Sequence, residues 1–277
     1  MATTHLVGID GSETALNALT WAAHDAVLHE ATLHLISVAT QPDLARNTRW
    51  LQQAQQIATD AGANTETRIT RGKPATELIE ASTGAERITV GNRGLADNTG
   101  THLPLGSTAE TVAMRAHCPA AVIPSTSRPD PTAPVIVGVD GSALSDPALR
   151  TAFDEASARG VGLIAVHVYS DTAVDEVWGQ IEDWYELRQR EEEVLAERLA
   201  GWHEQYPDVS VQRVVERDRP VRYLANHAAT AQLIVVGSRG RGGMTGMLLG
   251  STSRALLHIA PCPVLVVRLQ HESPAGQ

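Results

Sequence analysis

The residues with the clearest chemical meaning lie near the C-terminus, in the stretch LIVVGSRGRGGMTGMLLGST, Leu233 to Thr252. A β-branched run ends at Val236. Gly237, Gly240, Gly242 and Gly243 follow, and glycines let backbone amides come close to a ligand. Gly250 closes the loop. Ser251 and Thr252 then open a helix, whose free N–H groups and positive dipole end suit phosphate oxygens. Arg239 adds a cation beside them. The chemistry expected of this segment is phosphate binding. A weaker copy stands earlier, ITVGNRGLADNTGTHLPLGST, Ile88 to Thr108.

The loop is one part of a longer duplication. LVGIDGS (Leu6 to Ser12) recurs as IVGVDGS (Ile136 to Ser142), and HLISV (His34 to Val38) recurs as IAVHV (Ile164 to Val168). HCPAAVI (His117 to Ile123) recurs as PCPVLVV (Pro261 to Val267). Asp10 and Asp140 stand 130 positions apart, whereas Pro74 and Pro220 stand 146 apart. The second copy therefore carries 16 extra residues between those points. A period this long means two whole domains and not a solenoid. They are expected at residues 1–126 and 133–270. The segment between them, Pro124 to Pro134, holds four prolines and reads as an exposed linker.

Bulk properties narrow the function classes. A chain of 277 residues suits two ordinary domains. The net charge of −10 argues against a nucleic-acid partner. Lys73 is the only lysine, which excludes a Walker A loop. The 11 histidines show no pairing at metal-ligand spacings, so no metal site is expected. No apolar run approaches the roughly 18–20 residues that span a bilayer, and no signal peptide is read at the N-terminus. Cys118 and Cys262 hold equivalent repeat positions and read as buried thiols, not a bridge. The expected compartment is the cytoplasm.

The elements that must position the loop alternate strand and helix. Short Val/Ile/Leu-rich strands between amphipathic helices imply a parallel sheet covered on both faces. The fold class expected is α/β, two repeated doubly wound five-stranded parallel sheets packed as a pseudo-two-fold pair. That packing would set the last strands, Ala120–Pro124 and Val264–Arg268, side by side and cover two apolar edges. A homodimer stays open. In the second copy, helices are expected at Ser142–Ala158 and, holding the extra residues, at Val174–Tyr206. The latter carries an apolar stripe that includes Trp184, Leu195 and Trp202. It reads either as a longer packed helix or as a partner-docking surface using Trp178 and Trp184.

Each first strand ends in an Asp-Gly-Ser turn. Asp10 and Asp140 either shape the turn, with Ser12 and Ser142 capping the helix, or accept hydrogen bonds from a ribose or base edge. Ligands of doubly wound sheets sit at the carboxyl ends of strands where the winding reverses. There Asp140 and the loop from Gly237 would face one pocket.

On these residues the chain resembles a tandem universal stress protein, nearly end to end. The family's ATP-binding subgroup carries G-x2-G-x9-G-[ST], and Gly237, Gly240, Gly250 and Ser251 match that spacing. The resemblance implies sheet order 3-2-1-4-5 and bound ATP; a Mg²⁺ ion accompanying the ATP would be held mostly by phosphate oxygens. It assigns ribose or adenine contacts to Asp140 and the backbone of Val168. It assigns phosphate contacts to Gly237, Arg239, Gly240, Gly250, Ser251 and Thr252. The matching first-copy positions are Asp10, Val38, Gly91, Arg93, Gly94, Gly106, Ser107 and Thr108. That copy departs from the pattern, with eleven residues between Gly94 and Gly106. Asp97 would repel phosphate if it pointed inward, and Pro104 removes a backbone donor.

The resemblance implies a nucleotide-dependent regulator in the stress response, working by conformational change or partner recruitment. No catalytic base is placed near a γ-phosphate, and the PP-loop signature SGGxDS is absent. A slow ATPase or other adenine-nucleotide enzyme is the alternative, and a scaffold with vestigial sites a third.

Overall fold

The computed structural model describes residues 3–40, 44–95, 105–125, 127, 130–169, 184–241 and 248–268. The chain divides into two compact units, Met1–Ser127 with Val266–Gln277, and Arg128–Leu265.

The first repeat runs β1 (Thr4–Gly8), α1 (Glu13–Leu28), β2 (Thr32–Ala39), α2 (Leu44–Asp60), β3 (Asn64–Arg71), α3 (Pro74–Ala81), β4 (Arg87–Gly91), α4 (Ser107–Arg115) and β5 (Ala120–Ile123). Its strands order as β3-β2-β1-β4-β5, with parallel pairing of β1 to β2 and β4, of β2 to β3 and of β4 to β5. The winding reverses between β1 and β4, where a doubly wound sheet opens its crevice.

The second repeat runs β6 (Val135–Val139), α5 (Asp146–Arg159), β7 (Leu163–Tyr169), α6 (Trp184–Arg198), α7 (Trp202–Gln205), β8 (Val211–Arg217), α8 (Pro220–His227), β9 (Leu233–Gly237), α9 (Ser251–Ile259) and β10 (Val264–Val267). Its order, β8-β7-β6-β9-β10, repeats the first.

The sequence accounts for these choices. All residues of β5 and β10 are buried, as expected of strands covered on both faces. The β3 strand has charged, largely exposed residues, which suits a sheet edge. Pro74 and Pro220 stand in the first turns of α3 and α8, where the missing N–H costs nothing.

Two helices differ from expectation. The helix expected at Ser142–Ala158 begins as a 3-10 turn, Ala143–Ser145, and becomes α-helical only at Asp146. Pro147 explains the delay, because it fits a first turn and restricts the residue before it. The helix expected at Val174–Tyr206 is broken after Arg198. Gly201, at φ +80°, takes a left-handed conformation and separates α6 from α7. Residues 174–183, with Trp178, lie outside the described residues.

Trp202 stacks on Phe153 with ring centroids 5.2 Å apart, and Leu195 is fully buried. Leu195 is core, and Trp202 is half-buried against Phe153. Among the described residues, no helix is long and apolar enough to cross a membrane.

Candidate functional site

In the second repeat, β6 delivers Asp140 to the carboxyl edge of the sheet. Gly141, at φ +79°, turns the chain there. The Asp140 Oδ1 atom accepts from the Ser142 amide (2.9 Å), the Ser142 hydroxyl (2.8 Å) and the Ser145 hydroxyl (2.6 Å). Its Oδ2 atom accepts from the backbone amide of Arg241, in the glycine-rich loop after β9. Burial pushes the carboxyl up, but the hydrogen bonds from Ser145, Ser142 and Arg241 outweigh it and hold Asp140 below the ordinary value of 3.8.

The turn-shaping reading of Asp140 is the one observed. The carboxylate shapes the turn and also fixes the loop. Oδ1 is saturated by three donors, and Oδ2, with one, keeps acceptor capacity for a ligand hydroxyl.

The loop starts at Gly237 and is pinned at both ends. The Gly250 amide donates to the Ser238 carbonyl at 2.6 Å, and the Ser253 hydroxyl donates to the Gly237 carbonyl at 2.6 Å. Gly250 caps α9 with no side-chain hydrogen bond. Thus no cap competes for the first-turn N–H groups at Ser251 and Thr252. A Cβ on Gly240 would lie 2.9 Å from Asp140 Oδ2, so glycine permits this close approach. Gly242 and Gly243 lie outside the described residues. The Arg239 side chain engages no carboxylate among the described residues.

Val168 lies at the same sheet edge. The β6–β7 register ends at Val139↔His167, so Val168 has no ladder partner on β6.

The first repeat rebuilds this frame. Asp10 Oδ1 accepts from the Ser12 amide (2.9 Å) and hydroxyl (2.6 Å), and Oδ2 accepts from the Leu95 amide (3.0 Å). A Cβ on Gly94 would sit 2.7 Å from Asp10 Oδ2. The Gly106 amide donates to the Asn92 carbonyl at 2.7 Å, and Gly106 caps α4 with no side-chain bond, leaving Ser107 and Thr108 at its start. Gly91 packs on α1, where an added Cβ would meet the Thr14 carbonyl at 2.7 Å. Thr14 donates its hydroxyl to the Arg93 carbonyl at 2.5 Å, while the Arg93 side chain is exposed. Val38 lies beyond the last β1–β2 register pair, Gly8↔Ile36. Asp97 and Pro104 lie outside the described residues.

Sequence reasoning missed what the second helix of each repeat contributes. His167, only 2% exposed, places Nδ1 2.8 Å from the Val139 carbonyl and Nε2 2.7 Å from Glu191 on α6. In the first repeat, Asn47 on α2 donates to the Ser37 hydroxyl at 2.8 Å. Both pairs tie the second helix to the strand end beside the site. The hydrogen bond from His167 holds the Glu191 carboxyl below its ordinary value against burial, with Arg241 adding to the effect. A buried polar residue at each second-strand end was the available signal.

The fold and loops together define a class, the doubly wound α/β proteins with a glycine-rich loop and a helix start at the switch point. Comparison with known proteins narrows that class. The model of the universal stress protein family matches twice, at residues 1–124 and 132–268. A universal stress protein of Mycobacterium tuberculosis is 44% identical over 290 residues, covering 95% of this chain and 96% of the relative. Another, from Mycolicibacterium smegmatis, is 41% identical over 288 residues, covering 95% and 96%. A universal stress protein from Archaeoglobus fulgidus shares the fold with a TM-score of 0.66 at 23% identity, covering 97% of this chain and 98% of that one. The chain belongs to the universal stress protein family, as a tandem of two such domains.

Proposed function

We propose that this tandem protein binds ATP in its second repeat and uses the bound state as a regulatory signal in the stress response. One observation carries the reading. In the second repeat a loop of the spacing G-x2-G-x9-G-[ST] is pinned at both ends, beside a helix start with no side-chain cap. A helix start of this kind offers free backbone donors beside the loop, the groups that phosphate oxygens require.

The residues fit the ligand. Amides from Gly237 to Gly240 and at Ser251 and Thr252 would hold phosphates, with Arg239 supplying charge. Asp140 Oδ2 would take a ribose hydroxyl, and the free edge of Val168 would meet the base. Mg²⁺ would be held mostly by the phosphate oxygens, which bring most of the ligand set themselves.

The test is thermal unfolding with and without ATP and Mg²⁺. At a hundredfold excess over Kd, binding stabilises the native state by about 2.7 kcal/mol. The stabilisation should vanish in Gly250→Glu, which adds bulk and like charge at the cradle. Equal shifts in both proteins would refute the loop as the site. Recovery of ADP after incubation would favour the slow ATPase. No shift in either protein would leave only the scaffold.

A further inference from the structure

The two repeats cover their turn glycines with different residues. Gly11 and Gly141 follow the site aspartates, with φ of +80° and +79°. A Cβ on Gly11 would come within 2.1 Å of Trp50 Nε1. A Cβ on Gly141 would come within 2.1 Å of Arg241 Nη2 and 2.6 Å of Val194 Cγ1.

These residues correspond. Trp50 and Val194 each follow by three positions the helix residue tied to the second strand, Asn47 or Glu191. Leu95 and Arg241 each donate the backbone amide that reaches the aspartate. Trp50 with Leu95 in the first repeat is thus exchanged for Val194 with Arg241 in the second.

The exchange alters what can move. Trp50 packs against the core cluster that contains Ile9, Leu35 and Leu51, and the Arg46 guanidinium lies 4.9 Å from its ring centroid. Displacing it would expose a large aromatic surface. Arg241 is exposed. It carries a charge that phosphate attracts, and its side chain can leave the turn without opening a core.

We propose that the residue over the turn glycine decides which repeat takes a nucleoside triphosphate: Trp50 closes the first cleft, whereas Val194 and an exposed Arg241 leave the second accessible. The proposal rests on the nucleotide reading above and adds the determinant that makes the repeats unequal.

Calorimetric titration of the full chain with ATP and Mg²⁺ tests it. The wild type should bind one equivalent, and Trp50→Val should add a second. The reciprocal change, Val194→Trp with Arg241→Leu, should abolish the wild-type site and covers the case in which Trp50→Val fails to fold. Two sites in the wild type, one unchanged site in folded Trp50→Val, or wild-type affinity in the reciprocal variant would overturn the proposal while leaving ATP binding intact. Absence of heat in every protein would overturn the nucleotide reading and this proposal with it.

Discussion

The backbone amide of Arg241 donates to the carboxylate of Asp140, 101 positions earlier in the chain. The same tie joins Leu95 to Asp10 across 85 positions. Each of these aspartates therefore ties the start of its glycine loop to the turn after the first strand of its repeat. A preorganised loop avoids the ordering cost that a free one would incur on binding.

Asp140→Ala should reduce stability as well as binding. It removes the acceptor of four hydrogen bonds, one of them to the loop. A partly buried charged acceptor of this kind contributes about 2–4 kcal/mol in total, because its bonds are not additive. Urea denaturation measures the loss, and amide exchange at Arg241 should quicken. An unchanged midpoint with unchanged exchange would mean the tie contributes nothing.

Two glycines of the loop should separate fold from ligand. A Cβ on Gly240 meets Asp140 Oδ2 at 2.9 Å, whereas on Gly250 its nearest contact is 3.5 Å away. Gly240→Ala should lower the melting temperature by disturbing the aspartate tie. Gly250→Ala should leave stability within about 0.5 kcal/mol yet weaken ATP binding. Thermal melts with and without ATP decide between these outcomes and their reverse.

Glu191 gives stability a defined pH dependence. Its carboxyl is lowered in the folded protein from an ordinary value of 4.5, chiefly by His167. A depressed folded value stabilises the native state above the unfolded value and loses that stabilisation as pH falls through the folded one. The stability difference between wild type and Glu191→Gln should be full near neutral pH and shrink as pH falls below the ordinary 4.5. Denaturation midpoints from pH 7 to pH 3 would show a constant difference if the pair were inert.

Arg87 is a structural cation of the first unit. Its Nη1 atom lies 2.5 Å from Asp25 Oδ2, and Asp25 is only 1% exposed. Arg87→Met leaves that buried carboxylate without its guanidinium partner and should cost about 3–5 kcal/mol. Adding Asp25→Leu should recover part of the loss. A single variant as stable as the wild type in denaturant would contradict this.

The architecture was legible because strand alternation and the duplicated Asp-Gly-Ser and glycine-loop motifs are local signals. Helix details were less so. The delayed start of α5 follows from Pro147, and the break at Gly201 was hidden by an apolar stripe that continues past it to Trp202. The backbone frame of the site was legible as motifs. Its distant partners were not, because His167, Glu191, Trp50 and the Arg241 amide meet the site only through tertiary packing.

The central claim is that ATP occupies the loop of the second repeat, and titration of three full chains tests it most directly. The wild type should bind ATP at a single tight site, Gly106→Glu should keep it, and Gly250→Glu should lose it. No binding by the wild type, or loss in Gly106→Glu with retention in Gly250→Glu, would contradict the account.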